Sequence, residues 1–395
     1  MMPKTHLEFY DAHGISPVHY VVGDTQQHFE RRASLYRSLG VIPLSCRGAR
    51  VLEVAVGSGQ NSLYVASLMP ESLTLVEPNP TAIREIRELY ANTKVPHTKP
   101  LLVEMTLQDY MPEHPFDIVL CENWLGRVPH ERALLRKLAG FLAPQGVMVV
   151  TTLTPTGFLP NLIRRALSVR YCDPRLPFAD RTEQLVTMFA PHLATMSAMT
   201  RSATDWVQDN MMNPAYFDIC LTIPDVLQEV GNGLNALGTN PSFSTDWRWF
   251  KALFGEGREF NRHMIGAYQA ELHNFFDYQL EFSQPDVELN CAIETSCLVF
   301  LDAVRDYESA ALAGVNLTEC FSEVIACLTN IIRQLKDFPE QVKAGLEAGL
   351  KLLSDEERDL QKVATDSPFS RLFGRETVYL SLIADVTPAR FDARG

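Results

Sequence analysis

The sequence has no run of apolar residues long enough to cross a bilayer. It also has no dense Lys/Arg cluster: Arg31-Arg32 and Arg164-Arg165 are only pairs, and the formal net charge is −13. A nucleic-acid binder usually carries a basic patch or stripe, so neither nucleic acid nor an anionic membrane surface is an expected partner. The 8 cysteines (Cys46, Cys121, Cys172, Cys220, Cys291, Cys297, Cys320 and Cys327) form no Cys-x-x-Cys pair. Their spacing suits neither a zinc site nor a disulfide framework. Most sit in apolar patterns as small hydrophobes, which fits a reducing cytoplasm. The 10 histidines include no His-x-x-x-His pair, and no metal is expected. Met1 to Glu8 lack a charged region followed by an apolar run, so they do not read as a signal peptide. There is no internal repeat and no low-complexity tract.

What is present is a chain of 395 residues, more than one compact core usually holds. Residues 51–152 alternate between short apolar runs and amphipathic stretches. The runs are Val51–Ala55, Leu73–Val76, Leu101–Val103, Phe116–Leu120 and Val147–Val150. Short and rich in β-branched residues, they read as buried parallel strands. Ile83, Ile86 and Leu89 mark one intervening helix; Leu134, Leu135, Leu138, Phe141 and Leu142 mark another. This alternation predicts a mostly parallel sheet with helices on both faces.

The alternation then breaks. Helices are predicted at about 156–170, 180–195 and 213–221, so 155–221 is expected to be a helical insertion capping the substrate. A helix at 223–230 follows, then Leu234–Gly238 and Asp246–Phe250, which the pattern presents as a closing antiparallel hairpin. From about 258 the pattern is helical, with Leu317, Phe321, Val324, Leu328 and Ile331 on one stripe and Val342, Leu346, Leu350 and Leu353 on the next. The expected division is a lid segment (1–46), a core (47–154), the insertion (155–221), the end of the core (222–254) and an appended helical bundle (255–395). The bundle offers a surface for homodimerisation.

The stretch Val51-Leu52-Glu53-Val54-Ala55-Val56-Gly57-Ser58-Gly59-Gln60 runs a strand through a glycine turn into a helix. Glycine permits positive φ and close approach of a ligand. Glu77 ends the next strand, where nucleotide-binding α/β folds place an acid on the ribose hydroxyls. The third glycine of a dinucleotide fingerprint and the Gly-Lys-Ser/Thr of a P-loop are both missing. A nucleoside ligand without phosphates fits better.

On these residues the sequence resembles the class I, Rossmann-like S-adenosylmethionine (SAM)-dependent methyltransferases. The first motif is similar to Glu53-x-Ala55-x-Gly57-x-Gly59, with Ala55 replacing a glycine. Leu75-Val76-Glu77-Pro78-Asn79-Pro80 resembles the second, Thr106-Leu107-Gln108-Asp109 the third, and Phe116 to Trp124 the fourth. Leu142-Ala143-Pro144-Gln145-Gly146-Val147 resembles the turn into the fifth strand.

The resemblance implies SAM as cofactor, held by Glu53, Ala55, Gly57, Gly59, Glu77, Pro78, Asn79, Leu107 and Gln108. Trp124 is expected near the sulfonium, and Tyr20 and His28 as lid contacts. Glu122 and Asn123, just past the fourth strand, are the catalytic candidates: a base or amine ligand and a hydrogen-bonding amide. Asp205, Trp206 and Trp247 are the substrate-binding candidates. The expected activity is methyl transfer to a small polar metabolite. One alternative uses the aminocarboxypropyl group of SAM, by transfer or cyclisation with release of methylthioadenosine. The other is a non-catalytic SAM-binding or scaffold protein.

Overall fold

The computed structural model describes residues 5–16, 24–125, 131–213 and 220–384. Helices α1 (His6–His13), α2 (Thr25–Ser38) and the short α3 (Pro43–Cys46) precede the sheet. Then β1 (Arg50–Val54), α4 (Gln60–Ser67), β2 (Ser72–Val76), α5 (Pro80–Asn92) and β3 (Leu101–Val103) alternate as the apolar pattern predicts. β4 (Phe116–Cys121), α6 (Arg132–Ala139) and β5 (Leu142–Leu153) continue the series. All neighbouring pairs among β1 to β5 are parallel.

The insertion begins with α7 (Pro155–Tyr171) and α8 (Phe178–Leu193), close to their predicted bounds. The helix expected over 213–221 falls mostly on 214–219, outside the described residues. Ahead of it stand a short α9 (Ala203–Val207) and a π-helical turn, Gln208–Met212. α10 (Ile223–Val230) carries a capping box, the Thr222 hydroxyl and the Asp225 carboxylate each satisfying the other's backbone N–H. β6 (Leu234–Asn240) follows.

The expected hairpin is corrected here. The partner of β6 is β7 (Thr377–Ala384), reached only after α11 (Phe260–Glu271), α12 (Val287–Ala313), α13 (Thr318–Gln334), α14 (Glu340–Ser354), α15 (Leu360–Thr365) and α16 (Ser367–Ser370). The sheet order is β3-β2-β1-β4-β5-β7-β6, with β7 antiparallel to both neighbours. The bundle is therefore inserted ahead of the last strand rather than appended after the sheet. The physical reason is burial. Val378, Leu380 and Leu382 alternate onto one covered face, whereas Trp247 is 90% and Phe250 67% exposed. Arg248 folds back on Asp246 as a local ion pair instead of joining a ladder.

Two apolar clusters sandwich the sheet. One packs β1, β4, β5 and β7 against α6, α10 and α11; the other packs β1 and β2 against α2, α4 and α5. A third cluster joins α7 and α8 to α12, α13 and α14, so the insertion and the bundle share one core. The fully buried Arg165 on α7 crosses it to Glu308 on α12 at 2.8 Å.

The start of α7 meets the approach to β7 backbone to backbone. A Cβ on Gly374 would lie 2.1 Å from the carbonyl oxygen of Gly157, and one on Gly157 2.3 Å from that of Arg375. Gly374→Ala is expected to lose about 2 kcal/mol, as overpacking does, seen as a lowered urea midpoint. Gly266→Ala, on the exposed side of α11 with open space at its Cβ, is expected to gain roughly 0.5–1 kcal/mol through helix propensity.

Candidate active site

A cavity of about 570 Å³ opens where the carboxyl ends of β1, β2 and β4 meet the start of β7. This is the position at which open α/β sheets bind ligands. One end is lined by Ala55, Gly57, Ser58, Glu77, Pro78, Asn79, Leu107 and Gln108. Gly57 has φ +60° and open space where a Cβ would stand, so the turn can take a ligand against its backbone. Ala55 adopts φ +56° without glycine's freedom, a conformation that costs an alanine about 1 kcal/mol.

Glu77 is buried at the tip of β2 and accepts the N–H of Gly57 at 3.0 Å and that of Asn79 at 2.9 Å. Burial pushes its carboxyl up to about 7, against these hydrogen bonds, which pull it down. Glu53 is buried behind the turn, pushed up to about 8 first by desolvation and then by the nearby Glu122, with Arg32 opposing. Among the described residues its Oε2 and the Ser58 hydroxyl find no hydrogen-bond partner. Two orphaned polar atoms and an open glycine cradle suit a ligand with cationic and hydroxyl groups.

The family model for a methyltransferase domain matches residues 28–191. Residues 28–191 thus carry a methyltransferase domain. Ubiquinone biosynthesis O-methyltransferases of Xanthomonas campestris pv. campestris (strain B100) and Xanthomonas euvesicatoria pv. vesicatoria (strain 85-10) are both 30% identical, over 116 and 120 residues. The first match covers 28% of this chain and 46% of the relative, the second 29% and 48%. The chain thus spans about half the length of the curated relatives it matches. Among solved structures, an N-methyltransferase from Bradyrhizobium japonicum WM9 aligns at TM-score 0.31 and 12% identity, covering 55% of this chain and 88% of that one. Magnesium protoporphyrin IX methyltransferase from Synechocystis PCC 6803 aligns at 0.33 and 12%, covering 54% and 75%.

The other sequence candidates divide. Asn123 and Trp124 line the cavity beside Glu122. Asn123 takes φ +59°, a left-handed conformation that asparagine tolerates. Its N–H donates to Thr151 Oγ1 at 2.7 Å and its amide to the Tyr379 hydroxyl at 3.3 Å, tying β4 to β5 and β7. Trp206 is buried against Phe189 and also lines the cavity.

Glu122 does not have the setting of a free base. Arg32 Nη2 donates to both of its oxygens at 2.7 Å, and the Tyr36 hydroxyl donates to Oε1 at 2.7 Å. Gly59 caps α4 and packs on Ile86 instead of facing the cavity. His28 meets the Gln60 carbonyl at 3.1 Å outside the main cavity, pinning α2 to the start of α4; burial lowers its pKa. Asp205 belongs to the Ser202 cap of α9 and lines a neighbouring 190 Å³ cavity. Trp247, expected beside the cleft, is instead at the surface. Tyr20 lies outside the described residues.

Sequence reading missed several lining residues. Asp209 accepts from the Tyr10 hydroxyl at 2.6 Å and from Arg201 at 2.8 Å. Glu376 and Tyr379 come from the far end of the chain. The spacing Asp205 to Asp209, one helical turn, was the only local signal for Asp209; the others needed the strand order. Among the described residues no group of three or more His, Cys, Asp or Glu is placed to hold a metal, and no helix is long and apolar enough to cross a membrane.

The raised carboxyls give a pH signature. An acid whose pKa is higher folded than unfolded binds extra protons when folded, so stability falls as pH rises through the window between the two values. For Glu77 and Glu53 that window runs from 4.5 to about 8. The ligand-free protein should therefore melt at a lower temperature at pH 8 than at pH 6, as scanning calorimetry would show. With Glu77 as the expected ribose acceptor, the ionised form is the one that binds, so S-adenosylhomocysteine (SAH) is expected to bind about tenfold tighter at pH 8 than at pH 6.

Proposed function

We propose that the protein transfers the methyl group of SAM to a small polar metabolite in the cytoplasm. The observation that carries this reading is one continuous cavity. Its first end is the glycine turn with Glu77; its second is lined by Tyr10, Arg201, Trp206, Asp209, Asn210 and Glu376. About 570 Å³ lies within the range of small-molecule sites, roughly 300–1,000 Å³, and leaves room for a metabolite beside the nucleoside.

Glu77 is set to accept the two ribose hydroxyls, with Gly57 and Asn79 keeping its carboxylate in place. Glu53 and Ser58 offer their orphaned oxygens to the methionine part. Leu107 and Gln108 flank the base. Bound there, SAM supplies an electrophilic methyl on its sulfonium. The chain's own contribution is positioning and exclusion of water. α1 covers the cavity with Thr5, His6, Leu7 and Tyr10. It is fastened on both sides, by Tyr10 to Asp209 and by Asp11 to the Asn79 amide at 3.1 Å.

The test is incubation with SAM, the nucleoside products being resolved by mass. Tight SAH binding, with SAH formed only when an acceptor is added, supports methyl transfer. Methylthioadenosine formed from SAM alone above background supports use of the aminocarboxypropyl group instead. Failure to bind SAM or SAH leaves a scaffold.

A further inference from the structure

Charge and aromatic surface meet at the cavity's second end, and the charge is matched from within the protein. Among the described lining residues, Arg201 is paired with Asp209 at 2.8 Å, and Asp209 also accepts from the Tyr10 hydroxyl. Glu122 is paired with Arg32 behind the wall. Glu376 accepts from the Asn161 amide at 2.7 Å, and its charge acts on Arg164, fully buried one turn further along α7. Glu131 stands at the N-terminus of α6, where the helix dipole favours an acid. A charged ligand group would have to break one of these arrangements or stay unmatched in a buried wall, and unmatched buried charge is strongly unfavourable.

Carbon surface is the other component. Tyr10, Trp206 and Tyr379 line the same space. The hydroxyl of Tyr10 donates to Asp209 and that of Tyr379 accepts from the Asn123 amide, so both polar tips are engaged and both rings are held in place. Trp206 is buried and packs edge-on against Phe189, the ring centroids 6.2 Å apart. Rings of this kind favour another ring in offset or edge-to-face contact. Asn210 and Thr377 add uncharged polar side chains to the lining, and these suit a hydroxyl or a carbonyl.

Resting on the methyl-transfer reading above, we infer that the acceptor is an uncharged aromatic molecule, seated among Tyr10, Trp206 and Tyr379 rather than recognised by charge. The paired side chains then set specificity by exclusion. Ammonium and carboxylate compounds of the same size are rejected, because each would meet only counter-charges that are already engaged.

The experiment is a ligand-observed NMR titration on the full chain saturated with SAH. The probes are benzyl alcohol, benzylamine, benzoate and cyclohexylmethanol. Benzyl alcohol is expected to bind at least about tenfold tighter than benzylamine and benzoate. It is expected to bind about fivefold tighter than cyclohexylmethanol, which has a similar size and no π face. Asp209→Asn withdraws the carboxylate's charge from Arg201 and should gain at least about tenfold in benzoate affinity. SAH affinity should stay as in the wild type, which also shows the variant is folded. Equal or tighter binding of benzylamine, benzoate or cyclohexylmethanol, no binding of benzyl alcohol, or no gain for benzoate in the folded variant would each overturn the inference. The comparison within the wild type stands even if the variant does not fold. A wild type that does not bind SAH would sink the SAM reading instead.

Discussion

Glu77→Ala is expected to remove SAH binding from the measurable range while leaving the protein folded. Two effects act together. The ribose loses the carboxylate proposed to accept its hydroxyls, and the N–H groups of Gly57 and Asn79 lose the oxygens that hold them. Charge-assisted hydrogen bonds contribute about 1.5–3 kcal/mol each. Two of them correspond to about 4 kcal/mol, on the order of a thousandfold in Kd. The side chain is buried and its carboxyl is already raised, so its removal relieves desolvation, and the ligand-free variant should melt no lower than the wild type near pH 8. An isothermal titration that still shows SAH within about tenfold of wild-type affinity would mean that the ribose is not held here.

The second large effect is on the fold. Arg32→Met leaves Glu122 buried without its cation, beside a buried Glu53. Removing one partner of a buried pair typically costs about 3–5 kcal/mol. The pair is well enclosed, its side chains 7% and 5% exposed, so solvent screening does little to soften the loss. Arg32→Met with Glu122→Leu should recover most of it, because apolar replacement of a whole buried pair is often neutral. Urea unfolding of the two variants separates these outcomes. A double variant as unstable as the single one would show that the Tyr36 hydroxyl, left without its acceptor, carries the cost instead.

These two sites also mark how far the sequence could be read. β1, β2, β4 and β5 were legible because a strand buried on both faces is written as a short apolar run bounded by its own turn; β3 has such a run too, but it is the edge strand, with Leu101 64% exposed instead of buried. Glu77 and Gly57 were legible because the turn chemistry is local. The Arg32–Glu122 pair was not, since its members stand 90 positions apart and neither helix α2 nor the loop after β4 encodes which charge it will meet. Glu122 therefore reads from sequence as an available base, and only the folded chain shows both of its oxygens engaged. β7 was misplaced for a related reason. The segment 246–250 is near β6 and aromatic, but local order says nothing about which strand returns to the sheet. The true strand, Thr377–Ala384, is separated from β6 by six helices, of which α12 to α16 form a core with α7 and α8.

That return of the chain bears on synthesis. While residues 241–376 are emerging from a ribosome, β5 and β6 are already present but the strand that joins them is not. The edge of β5, apolar on both faces, stays open for most of translation, and open edges of this kind invite pairing with other chains. Helices α7 and α8 face the same delay, because the apolar side of α7 packs on α12 and α14 and that of α8 on α15 and α16. Completion of the cavity is thus deferred to a single late event, the docking of β7 with Glu376 just ahead of it and Tyr379 within it. A nascent chain stopped before residue 377 would hold the glycine turn and Glu77 yet lack the strand that closes the sheet, and would be a client for chaperones.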